Sequence, residues 1–102
     1  MGIIFALTIS WSFITSDQLV AAVDCGRAKG NVDKLVCFNS RAAAAEERMA
    51  MAFHHALQRG VSPEVLRKTQ LSWKERVRDV CMDVSCLVLA HEERIAELYE
   101  LQ

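Results

Sequence analysis

With 102 residues, twelve Lys and Arg, and thirteen Asp and Glu, the chain is one small domain of net charge −1. Near-neutrality excludes the strongly basic surface of a general nucleic-acid binder and the polybasic character of a protein held on anionic membranes. The length leaves no room for a multi-lobed enzyme and only a modest core, the size range in which small domains need staples.

The first fourteen residues hold ten apolar side chains, among them Phe5, Trp11 and Phe13, and no Lys or Arg. The apolar run Ile3–Ile14 is 12 residues long, well short of the roughly 20 that a membrane span requires. It stops before Thr15, Ser16 and Asp17, and Val20, Ala21 and Ala22 follow as small residues suited to a peptidase. This pattern predicts a signal peptide over 1–22, cleaved after Ala22, and a mature domain over 23–102 with no membrane span. Asp24 directly before Cys25 does not suit lipidation, which needs a small residue there. Loss of Asp17 with the leader leaves twelve acids against twelve bases, a neutral mature domain.

The four cysteines, Cys25, Cys37, Cys81 and Cys86, all lie in the mature part. An even count in an exported chain reads as two disulfides. Three connectivities are open, and two local staples, Cys25–Cys37 with Cys81–Cys86, are the expectation. On a continuous helix residues five apart are separated by about 7.5 Å along the axis, beyond disulfide reach, so the second staple requires a break in any helix there. Tight metal-ligand pairs and a C-x-x-C motif are absent, and neither a metal site nor another cofactor is expected.

From Val23 to Asn39 the pattern is short and interrupted by Gly26, Gly30 and Asn31, with helical turns expected before Gly30 and over Asp33–Cys37. Ser40 is read as the cap of a helix over Arg41–Arg59, whose apolar stripe is Ala42, Ala45, Met49, Ala52, Phe53, Ala56 and Leu57. Gly60 ends it. Ser62-Pro63 opens a second helix, predicted to bury Val65, Leu66, Trp73, Val77 and Val80 and to stop near Cys81. A third helix, from about Cys86 to Leu101, places Leu87, His91, Ile95 and Leu98 on one face. The fold class is therefore all-α, a small three-helix bundle stapled by two disulfides.

Charge is segregated along the chain. Residues 59–78 hold six basic against two acidic side chains, and residues 79–102 hold six acidic against Arg94 alone. Antiparallel attraction between neighbouring helices accounts for this as structure; a docking face for a cationic partner accounts for it as function. No nucleophile elbow, phosphate loop or catalytic constellation is present, so an enzyme is not expected. His54 and His55 read as surface residues, His91 as the edge of the core, and Trp73 as core.

Asp24-Cys25, then Ala28, Val32 and Val36-Cys37, then Gln70, Trp73, Arg78 and Cys81, and finally Cys86-Leu87, Arg94-Ile95 and Leu98 form an ordered set spanning Asp24 to Leu101. This set resembles the LprI-like lysozyme-inhibitor family of small exported bacterial domains. Departures from the family pattern fall at Ala42, where leucine is usual, at Glu46, where aspartate is usual, and near Phe53 and at His91, where tyrosine is usual. The resemblance implies a disulfide-stapled helical domain, periplasmic or secreted, that acts without chemistry by occluding a lysozyme cleft. On that reading Glu92, Glu93, Glu97 and Glu100 steer a cationic lysozyme, and the loop Arg59–Ser62 is the plug, with Arg59 meeting a catalytic carboxylate. The alternative is an accessory, structural or immunity-type protein of the envelope, whose partner is another protein.

Overall fold

The computed structural model describes residues 24–102; the leader expected over 1–22 lies outside the described residues. After a 3₁₀ turn at Cys25–Arg27 come α1 (Gly30–Phe38), α2 (Ser40–Gln58), α3 (Pro63–Trp73), a π-helical turn (Lys74–Arg78) and α4 (Val84–Glu100). The described residues form four α-helices and no strand. The helical turn expected over Asp33–Cys37 is part of α1, which begins earlier, at Gly30 with φ +79°, and makes a fourth helix beside the expected three.

Local chemistry sets the helix ends. Asn39, not Ser40, caps α2: its side-chain oxygen accepts from the backbone N–H groups of Arg41 and Ala42 at 3.0 and 3.1 Å. At the other end Gly60 adopts φ +96°. Its N–H donates to Leu57 O and that of Val61 to Ala56 O, the paired bonds of a Schellman cap, with Val61 buried beneath. Ser62 caps α3 through Val65 N, with Pro63 in the first turn, and Asp83 caps α4 through Cys86 N.

Contacts between helices fix their directions. Glu46 meets His91, Arg48 meets Glu92 and His55 meets Tyr99, so α2 and α4 run parallel at a constant offset. Gln70 meets Arg94 and Trp73 meets His91, so α3 returns antiparallel between them. The α2–α4 pairing is the most extensive in the bundle. Its centre is Met49, Phe53, Leu66, Leu87 and Leu98, all essentially excluded from water, with Val32 and Val36 of α1 packed at one side.

Both disulfides are the local ones, Cys25–Cys37 and Cys81–Cys86, with Cα–Cα distances of 5.6 and 5.5 Å. The chain is non-helical between the π turn and Val84, which is the break that the second staple requires.

The second half of α3 departs from the expected pattern. Val77 and Val80 are exposed, as is Val65 in the first turn, while Arg78 is buried. The cause is the π turn, in which Asp79 N–H donates back five residues to Lys74 O. A continuous α-helix would set Val77 beneath Trp73; the wider turn brings the fifth residue, Arg78, inward instead. There Arg78 donates to Asp33 of α1 at 2.6 Å and to Asp79 at 2.9 Å. Val65 lies beside Leu66 and so falls off the Leu66–Trp73 face.

Two stability predictions follow from this arrangement. Asp33→Ala leaves the Arg78 guanidinium buried without its cross-helix partner and should cost about 3 kcal/mol, read as a lower urea midpoint at constant slope. Replacing both cysteines of one bridge by serine should cost about 3 kcal/mol for Cys25–Cys37 and about 2 for Cys81–Cys86, following the loop sizes.

Candidate functional site

Two arrangements of polar side chains stand out, one inside the bundle and one on its surface. The inner one lies on the seam of α2, α3 and α4. His91 is completely buried, not at the edge of the core as its position on the helix suggested. Its Nδ1 lies 2.6 Å from Leu87 O, and because a carbonyl only accepts, Nδ1 carries a hydrogen. Its Nε2 lies 2.7 Å from Glu46 Oε1, a contact that holds one further proton between imidazole and carboxyl. Trp73 and the imidazole pack in a T-shaped pair, 5.1 Å between ring centres. Glu46 Oε2 and Trp73 Nε1 are buried without hydrogen-bond partners. Glu46 and His91 are two of the positions at which the chain departs from the LprI-like pattern, and here they touch each other.

One turn further along α4, Arg94 is buried as well. Its guanidinium donates to Gln70 Oε1 at 2.8 Å, to Thr69 Oγ1 at 2.9 Å and to Glu97 at 3.2 Å. Gln70 in turn donates to Met49 Sδ on α2. Burial pushes the Arg94 guanidinium below its ordinary value, opposed by the hydrogen bond and charge of Glu97. Gln70, Trp73 and Arg94, three residues of the set that carries the family resemblance, thus form a polar brace between helices. The brace links α2, α3 and α4 through side chains that are buried at Glu46, His91 and Arg94 and part-buried at Thr69 and Gln70.

The outer arrangement is the exposed face of α4. Glu92, Glu93, Glu97 and Glu100 are all exposed and, at 100° per residue, fall within an arc of about 140°. Glu92 reaches Arg48 of α2 at 3.8 Å and Glu97 reaches Arg94 at 3.2 Å. Glu93 and Glu100 have no ion-pair partner among the described residues. The basic residues of α3 do not neutralise this face, so the charge segregation in the sequence is not cancelled by pairing between α3 and α4.

Arg59 makes its contacts within the domain. Its guanidinium crosses to the C-terminal end of α4, donating to Leu98 O at 2.8 Å and Leu101 O at 3.1 Å, and lies 5.9 Å from the centre of the Tyr99 ring. Tyr99 OH also meets His55 Nδ1 at 3.1 Å. Arg59 thus ties the loop Arg59–Ser62 to carbonyls at the C-terminal end of α4, where acceptors are in excess, and the buried Val61 anchors it to the bundle. Arg59, Gly60 and Ser62 of that loop are exposed. His54 and His55 are exposed, as the sequence indicated. All four cysteines are in disulfides. No helix among the described residues is long and apolar enough to cross a membrane.

Comparison with family models, with characterised proteins and with solved structures returned no match.

The brace makes a sharp prediction. His91→Phe leaves the Glu46 carboxyl buried and alone and should cost about 3–5 kcal/mol. The double variant Glu46→Leu/His91→Phe removes both polar groups together with the unpartnered Oε2 and should recover most of that loss. Urea unfolding of the two single variants and the double measures the coupling directly.

Proposed function

We propose that the protein is an exported, non-enzymatic binding module of the bacterial envelope that engages a cationic protein, and that this partner is a lysozyme. The observation that carries the reading is the exposed row of four carboxylates on α4, two of them without an ion-pair partner among the described residues. Such a face attracts a cationic surface and accelerates encounter. The family resemblance in the sequence supports lysozyme as the partner. Two disulfides and a braced interior support a rigid body, which loses little conformational freedom on binding. Inhibition on this reading is occlusion of the cleft, with no covalent step.

The reading is tested by titrating the oxidised protein into a lysozyme turbidity assay, beside a reduced and alkylated control. Saturable inhibition near equal stoichiometry, lost on reduction, is expected. Absence of inhibition across several lysozyme types would sink it and favour an accessory role with another envelope protein. Reversing the two unpaired carboxylates, Glu93→Lys with Glu100→Lys, should slow association about tenfold at low salt and flatten its salt dependence. Unchanged kinetics in a stopped-flow measurement would remove the steering role of α4.

A further inference from the structure

The end of the bundle at which α2 and α4 begin presents two of the most exposed apolar side chains of the described chain, Phe38 at 79% and Met82 at 92%. They share a surface hollow of about 540 Å³ with Leu35, Lys34, Asn31 and Asn39. The same local arrangement produces both. Cys37, Phe38 and Asn39 are a disulfide cysteine, the exposed side chain and the cap of α2; Cys81, Met82 and Asp83 repeat that order before α4. A bridge on one side and a helix cap on the other hold the backbone of each exposed residue. Two large apolar groups are therefore fixed in water at one tip, the pre-organisation that makes a binding anchor effective.

The chemistry of the tip selects its partner. Pockets for small molecules enclose most of the ligand surface; Phe38 and Met82, standing mostly in water at the rim of an open hollow, enclose little and instead offer their side chains to a concavity on a partner. Lys34 is the one formal charge lining the hollow, and a second copy docked across a two-fold axis would bring two Lys34 ammonium groups together. An apolar-walled concavity that carries carboxylate meets both demands. A glycan hydrolase cleft has a pair of carboxylates flanking the scissile bond.

We infer that Phe38 and Met82 are the anchor that enters such a cleft, with Lys34 meeting a carboxylate; the inference rests on the reading of the partner as a lysozyme. The tip takes the role that the sequence suggested for Arg59–Ser62. The acidic face of α4 lies along the same body and guides the approach.

The test measures binding of the full oxidised protein to a c-type lysozyme by calorimetry, with and without a chitooligosaccharide occupying the cleft. Phe38→Ser, Met82→Ser and Lys34→Glu should each weaken binding about tenfold or more. Val65→Ser, an equally apolar but distant exposed position on α3, should leave it unchanged, and the oligosaccharide should compete. The high exposure of Phe38 and Met82 means that both variants should keep the native circular dichroism and unfolding midpoint. Native-like affinity in all three tip variants, with the oligosaccharide still competing, overturns the anchor while the inhibitor reading stands; binding indifferent to the oligosaccharide overturns the anchor and cleft occlusion together. Failure of the native protein to bind removes both.

Discussion

The chain cannot remain helical from Pro63 to Glu100 and also join Cys81 to Cys86. Residues five apart on a helix stand about 7.5 Å apart along the axis, whereas these two have Cα atoms 5.5 Å apart. The reversal between them lets α4 turn back beside α2 and run parallel to it. From that orientation come the constant offset of the α2–α4 contacts, the shared end at which both helices begin, and the other end at which both finish. Just before the reversal, the π turn exchanges Val77 for Arg78 on the inner face, and Arg78 ties α1 to the same corner through Asp33.

The sequence discloses local features well and cross-chain ones poorly. The apolar stripe of α2, the glycine that ends it, Ser62-Pro63 and the local disulfides depend on neighbours within a few residues, and each is present in the structure. Three polar features were not legible. His91 read as an edge residue, and nothing marked Glu46 as its partner, because their pairing joins positions 45 apart. The burial of Arg78 was hidden because helical periodicity assumes 3.6 residues per turn and so put Val77 inside, whereas a five-residue return shifts the inner face. Arg59 lies next to a loop in sequence, and only the fold brings the carbonyls of Leu98 and Leu101 within its reach. Ser40 and Asn39 are both good capping residues, and backbone geometry chooses between them.

Residues that carry the family resemblance and residues that face outward are largely separate sets. Gln70, Trp73, Arg94 and Leu98 are wholly or partly inside, bracing or filling the seam, so a likeness built on them speaks chiefly to architecture. The surface offers a carboxylate row along α4 and, beyond its N-terminal end, an apolar tip with one lysine. A neutral total charge conceals this division. The acidic side of the molecule can attract a cationic protein while the tip meets a local patch of opposite sign, because screening confines each surface charge to a range of about 8–10 Å.

Parallel packing of α2 and α4 also bears on how the chain reaches its native state. Their contacts join residues 44 or 45 apart, so the largest interface of the bundle is non-local. Bringing the two helices together closes the long loop between them, and its entropy is lost before the contact repays it. Small helical bundles usually fold rapidly through near-neighbour contacts; the α2–α4 interface is instead a non-local one. The Cys81–Cys86 bridge, spanning only a short loop, restricts the reversal even in the unfolded oxidised chain and so narrows that search. Its effect thus extends to the rate at which the two long helices meet.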